Sequence, residues 1–287
     1  MFGGADASRV GDDTWSWDGS RWSLEPWRGP GPRTFAAMAW DVERGEALLF
    51  GGRRVLFGRE GDRGTFLGDT WTLGRDGWRP LDAVGPSARA EAAVAYDAGR
   101  RVVVLFGGYN DEDGVTNRLG DTWEWNGARW TLRATDGPAP RNGAAMAWDG
   151  KSGEVVLFGG SGGPRDDTWV WSGERWRRLD TAATPGRFNS VAAYDAARGR
   201  IVRTTGWNGR ERVRDTWVLG GGWTLTSTQG PTARNHAAVA YDSARARLVL
   251  FGGHDGTNVF GDVWEWDGVA WRERLAWPAQ RRVENGH

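Results

Sequence analysis

Apolar residues along this chain come in short runs, each closed by glycine, aspartate or serine. Residues 141–179 show the pattern most plainly. Ala144 to Trp148 meets the turn cluster Asp149-Gly150-Lys151-Ser152-Gly153, and Glu154 to Phe158 stops at Gly159-Gly160. Thr168 to Trp171 is a third run, turned by Ser172-Gly173 into a fourth, Arg175 to Leu179. Runs of this length between such residues predict four short strands in tight antiparallel pairs. The first three strands carry apolar side chains on both faces, so one unit cannot bury its own surface.

The rest of the chain supplies the neighbours as copies. The second glycine of the stop recurs at Gly4, Gly52, Gly108, Gly160, Gly206 and Gly253. The aspartate that opens the third strand recurs at Asp13, Asp69, Asp121, Asp167, Asp215 and Asp262, each followed by Thr or Val and then Trp. An arginine precedes the first strand at Arg33, Arg89, Arg141, Arg187, Arg234 and Arg281. Aspartate to next glycine spans 39 residues four times and 38 once, whereas glycine to aspartate varies from 7 to 17. Length variation therefore sits in one loop per repeat. Four-stranded repeats of this size predict an all-β, six-bladed β-propeller. Residues 1–25 and Arg281 to His287 together supply one incomplete blade, split between the termini and lacking nine positions of the repeat. Full blades are expected at about 33–81, 89–133, 141–179, 187–227 and 234–275, in a single domain over 1–287.

The Leu-Phe-Gly-Gly of 157–160 and 250–253, followed by a loop, Asp-Thr-Trp or Asp-Val-Trp, and a further Trp, resembles the kelch repeat. The likeness is to the Trp-rich bacterial version and extends over essentially the whole chain. It implies a propeller like the central domain of galactose oxidase. It does not imply an activity, since kelch propellers serve as protein-binding scaffolds and as unrelated enzymes. The Tyr–Cys crosslink of the kelch copper oxidases and the cysteine-bearing iron motif of nitrile specifiers both need a residue that this chain lacks.

Composition narrows the partners. Formal net charge is zero and the pI about 6.9, which gives no reason to expect nucleic acid or an anionic membrane as a partner. No run of 18 apolar residues is present, so no membrane span is expected. Met1-Phe2-Gly3-Gly4 is not a signal peptide; because the chain opens inside a repeat, a secreted or cell-surface setting stays open. There is no cysteine, hence no disulfide and no thiolate site. Of 37 basic residues only Lys151 is lysine, a bias resembling that of GC-rich bacterial coding. A monomer without cofactor is expected.

Strand order puts the variable loops and the arginine joins on one face, where binding residues collect on a rigid scaffold. The arginines themselves match the third-strand aspartates in number and side, which predicts repeated Arg–Asp framework pairs. Candidate binding residues are those that depart from the repeat. Blade four reads Arg203-Thr204-Thr205-Gly206 in place of Leu-Phe-Gly-Gly, followed by Trp207 and Asn208. Blade five brings His236 and His254 near one another, with Asp255 beside them, a set able to hold zinc or iron but matching no strong motif. Tyr109 opens a loop through Gly114 whose oxygen ligands have a calcium-like order without the later glutamate, so a solvated loop is expected. Arg53 and Arg54 suit an acidic ligand, and Glu91, Asn142, Asn189 and Asn235 follow the repeat arginines and differ between blades. Three functions fit: a non-catalytic scaffold for a protein or carbohydrate ligand, which leads; a sugar-active enzyme such as an epimerase, with Glu91 and His236 as acid and base; and a structural segment of a larger cell-surface protein.

Overall fold

A computed structural model describes residues 1–5, 9–54, 64–112, 115–163, 165–181, 184–276, 280 and 281. The chain is an all-β propeller; among the described residues five sheets have four antiparallel strands each and there is no helix. It divides into two compact units, Met1–Asn142 and Gly143–His287.

The first unit holds blade one (Ala37–Asp41, Glu46–Arg54, Thr65–Gly74, Gly77–Leu81) and blade two (Ala93–Asp97, Val102–Phe106, Thr122–Trp125, Trp130–Ala134). It also holds a two-stranded sheet, Thr14–Trp17 with Trp22–Glu25, to which Phe2 adds a bridge at Thr14. The second unit holds blade three (Ala145–Asp149, Glu154–Phe158, Thr168–Trp171, Trp176–Leu179) and blade four (Val191–Asp195, Arg200–Thr204, Thr216–Leu219, Trp223–Ser227). Blade five follows (Ala238–Asp242, Arg247–Phe251, Val263–Trp266, Trp271–Leu275), and Asn258–Val259 pairs with Gln280–Arg281. Residues 282–287 lie outside the described residues.

Each second strand is central in its sheet and covered on both faces, which explains its unbroken apolar sequence: Val103, Val104, Leu105 and Phe106 are at most 1 % exposed. Its phenylalanine packs against the fourth-strand Trp of the next blade, with Phe50 and Trp130 centroids 5.5 Å apart and Phe158 and Trp223 5.3 Å apart. Large rings thus fill the layers between blades, so one blade's apolar face is covered only by its neighbour.

The expected Arg–Asp pair is present in blades one, two, four and five. Arg33 donates to Asp69 from Nη1 at 2.7 Å and Nη2 at 2.8 Å, and Arg89 to Asp121, Arg187 to Asp215 and Arg234 to Asp262 repeat the fork. Nε of each donates to the carbonyl two residues back, and Nη1 also reaches the carbonyl of the first stop residue, as in Arg33 to Gly51 and Arg234 to Gly252. A buried guanidinium is tolerated because its donors are served in this way. For Asp121, burial raises the carboxyl pKa, but the hydrogen bonds and charge of Arg89, with Trp123, carry it below the usual range.

The Asp-Thr-Trp motif has a role for every residue. The Trp Nε1 donates to the Asp two positions earlier, at 2.7 Å in Trp71, Trp123, Trp169, Trp217 and Trp264. The Thr hydroxyl accepts from the fourth-strand Trp of the following blade: Trp78 to Thr14, Trp130 to Thr70, Trp223 to Thr168 and Trp271 to Thr216, at 2.8 to 3.0 Å. The glycine stop is required by space as well as conformation. At Gly51 φ is +65°, and a Cβ there would stand 2.7 Å from the carbonyl oxygen of Arg89 in the next blade.

Two variable loops differ from expectation. In blade one the second and third strands run on past the stop, pairing Gly52 with Leu67, Arg53 with Phe66 and Arg54 with Thr65. Residues 109–114 are not an open loop: Tyr109–Glu112 pairs with Val115–Arg118, and Asp113 and Gly114 lie outside the described residues. Alternation along that ribbon sends Asn110 and Asp111 to opposite faces, against a converging calcium ligand set.

Candidate functional site

At the loop end of each blade the backbone repeats while the side chains do not. The residue after the arginine bridges the residue after the glycine stop: Thr34 with Arg53, Ala90 with Tyr109, Phe188 with Trp207 and Asn235 with His254. The next residue is left-handed in all five blades, with φ of 57° at Phe35, 52° at Glu91, 62° at Gly143, 51° at Asn189 and 57° at His236. Its amide donates to the same carbonyl one blade earlier: Glu91 to Phe35 at 3.0 Å, Asn189 to Gly143 at 2.7 Å and His236 to Asn189 at 3.3 Å. Glycine adopts this conformation without strain, and non-glycine residues there cost of order 1 kcal/mol each. Four of the five blades nevertheless carry Phe, Glu, Asn or His.

In the first unit these positions form a half-buried polar and aromatic cluster. Arg53 Nη1 donates to the Tyr109 hydroxyl at 3.2 Å and its guanidinium lies 5.0 Å from the Phe66 ring, itself edge-on to Tyr109 at 5.3 Å. Burial, then the charge of Glu91, push the Tyr109 phenol above its ordinary value against the pull of Arg53. Asn142 joins two charged neighbours, donating from Nδ2 to Glu91 Oε2 at 2.7 Å and accepting from Arg118 Nε at 3.0 Å. Arg54 is exposed, and its Nη2 lies over the Gly31 backbone.

In the second unit Asn189, His236 and His254 form one hydrogen-bonded line. Gly256 N–H donates to His254 Nδ1 at 3.1 Å, which puts the proton of a neutral His254 on Nε2. Nε2 faces His236 Nδ1 at 3.0 Å, so His236 in turn carries its proton on Nε2. That nitrogen meets the Asn189 side-chain amide at 2.7 Å, and the donor sequence requires the carboxamide oxygen to face it. The two imidazoles are stacked, with centroids 5.1 Å apart and planes 14° from parallel. Burial, then His236 and Arg212, lower His254 to about 3 against the opposing charge of Asp255. It is a neutral donor and acceptor at physiological pH.

The Asp255 carboxylate does not converge on the histidines. It caps its own turn, accepting from the amides of Thr257 at 2.8 Å and Asn258 at 2.6 Å and from the Asn258 side chain at 2.9 Å. Among the described residues no group of three His, Asp or Glu could hold a metal ion. Trp207 is half-buried with the Arg212 guanidinium 5.1 Å from its ring, and Arg212 Nε donates to Asn235 Oδ1 at 3.0 Å. Asn235 is 5 % exposed and holds Arg212 in place. Asn208 is a turn residue whose Oδ1 accepts from the amides of Arg210 and Glu211 at 2.9 Å.

Sequence reasoning missed Phe35, Phe66, Arg118 and Arg212. A signal existed for Phe35, since it occupies the position of Glu91, Asn189 and His236 in an alignment of the repeats. Arg118 and Arg212 sit in loops of unequal length, where no alignment places them. The chain matches no protein-family model and no curated protein.

Proposed function

We propose that this chain is a six-bladed, kelch-type propeller that binds a protein or carbohydrate ligand at its loop end without catalysing a reaction. The observation that carries the reading is the set of left-handed positions. Their backbone bonds would be met most cheaply by glycine, as at Gly143, yet Phe35, Glu91, Asn189 and His236 keep side chains. A non-glycine residue held in this region points to a use for the side chain. Bridged to the same short stretch are Arg53, Tyr109, Trp207 and His254, four different chemistries on one repeated backbone. Half-buried aromatic rings with polar edges suit a sugar ring or an interface side chain.

Support for a sixth blade comes from the first residues. Gly3 and Gly4 have φ of 65° and 102°, matching 65° and 101° at Gly51 and Gly52, and Gly4 N donates to Arg33 O as Gly52 N does to Arg89 O. The Arg, Gly-Gly and Asp-Thr-Trp contacts are the basis of the kelch reading.

The test compares the wild type with Trp207→Ala/His254→Ala on glycan and peptide arrays, with near-ultraviolet circular dichroism to verify folding. The expected result is binding by the wild type that the folded double variant loses. Equal binding by both, or protection from hydrogen exchange at the opposite hairpins such as 41–45, would place the ligand elsewhere.

A further inference from the structure

Blade four holds a buried arginine that is not one of the framework arginines. Arg203 stands in the second strand where the other blades have Leu49, Leu105, Leu157 and Leu250, and like them it is at most 1 % exposed. Among the described residues no acceptor lies within hydrogen-bond reach of its Nε, Nη1 or Nη2. Its guanidinium carbon is 4.0 Å from the Phe158 ring centroid, 5.0 Å from that of Trp223 and 5.9 Å from that of Trp217. Aromatic faces attract the charge but offer its N–H groups no lone pair.

The carboxylate whose field reaches Arg203 is already engaged. Asp215 accepts from Arg187 Nη1 at 2.7 Å and Nη2 at 2.9 Å, and from Trp217 Nε1 at 2.7 Å. Two guanidinium ions therefore share one carboxylate, a surplus of one positive charge. Burial, then the charge of Arg187, hold Arg203 well below the ordinary arginine range against the pull of Asp215. Blade five has no such surplus, because Arg234 and Asp262 balance and the residue matching Arg203 is Leu250.

Two more polar groups in this blade lack partners. Thr205 Oγ1 and Ser190 Oγ are buried without a hydrogen bond, and the Val191–Thr204 register sets those two residues side by side at the end of the strand pair. Thr205 also holds φ of 60° where the other blades have glycine between 65° and 70°. A β-branched residue is a genuine outlier there. Buried groups left unsatisfied this way need an explanation, and a bound water or ion is one. Water would serve the hydrogen bonds but leave the charge unbalanced.

We propose that blade four binds a monovalent inorganic anion of halide size between its second strand and blade three, with the Arg203 guanidinium as the principal donor. The surplus of one charge sets the valence, the packed rings of Phe158, Trp217 and Trp223 limit the size, and the unserved N–H groups supply the chemistry. This site is independent of ligand binding at the loop end.

Thermal unfolding of the full chain tests it, in potassium bromide, chloride and gluconate at equal concentration. The Tm of the wild type rises by about 5 °C from gluconate to bromide. Arg203→Leu, which places the residue of the other four blades at this position, shows no such rise. In crystals grown with bromide, anomalous scattering places one ion beside the Arg203 guanidinium. An equal halide response in both proteins, or none in either, overturns the proposal. So does bromide found at surface arginines alone, which would be an adventitious ion only.

Discussion

Blades four and five are consecutive in the chain and share one backbone, yet they treat a buried arginine in opposite ways. In both, a framework arginine forks onto the third-strand aspartate, and the fourth-strand Trp reaches back to a threonine of the blade before. First and second strands pair in the same register, Val191 with Thr204 and Ala238 with Phe251. The difference lies at the end of the second strand, Arg203-Thr204-Thr205 against Leu250-Phe251-Gly252. The blade is thus specified by a few hydrogen bonds at its strand ends, and those bonds survive a change of three adjacent residues. Arg234 belongs to that set and Arg203 does not.

The sharpest way to break the comparison is to remove each arginine. Arg234→Ala leaves Asp262 nearly buried without its cation and should destabilise by about 3–5 kcal/mol in urea unfolding. Arg203→Leu, measured in gluconate, should act in the opposite direction and stabilise by about 1–4 kcal/mol, because an uncompensated buried charge is replaced by the leucine of the other blades. Losses of similar size in the two variants would mean that Arg203 is framework as well.

A smaller effect separates the loop ends of the two blades. His254 in blade five has its pKa lowered from 6.5 to about 3, facing His236, Arg212 and Asp255. The unfolded chain therefore takes up a proton near pH 6.5 that the folded chain refuses, so this stability is complete above pH 6.5 and is lost as pH falls towards 3. Between pH 7 and 4.5 the loss should be about 2.5 kcal/mol, before protonation of the paired aspartates begins. His254→Asn should remove most of it, whereas Trp207→Phe at the matching position of blade four should leave the pH profile unchanged.

What the sequence discloses depends on whether a feature repeats. The Arg–Asp pairs are legible because arginine and aspartate each recur once per repeat and fall at the same strand ends, although 28 to 36 residues separate the partners. The partners of the Trp Nε1 groups are not, since apolar patterning ranks a tryptophan by its ring and ignores its one donor. The break in blade four is plain as Arg203-Thr204-Thr205, but that Arg203 has no hydrogen-bond partner, while Asp215 is engaged by Arg187 and Trp217, emerges only from the structure. His236 and His254 are foreseeable neighbours through strand pairing. The withdrawal of Asp255 is not, because its turn contacts depend on local backbone conformation. The left-handed positions give only a weak local signal: Asn189 and His236 are residue types enriched at positive φ, whereas Phe35 and Glu91 are poor markers of it.

Those positions also offer the most direct test of the central claim, that the loop-end side chains are kept for recognition and the framework does not need them. The measurement is the unfolding free energy, by urea titration at pH 7, of the variant carrying Phe35→Gly, Glu91→Gly, Asn189→Gly and His236→Gly. Glycine is at ease at φ near 50–57°, and relief of strain offsets the added freedom of the unfolded chain and the lost side-chain contacts. The account predicts a stability within about 1 kcal/mol of the wild type. A loss of about 4 kcal/mol or more would make these side chains part of the framework and contradict it.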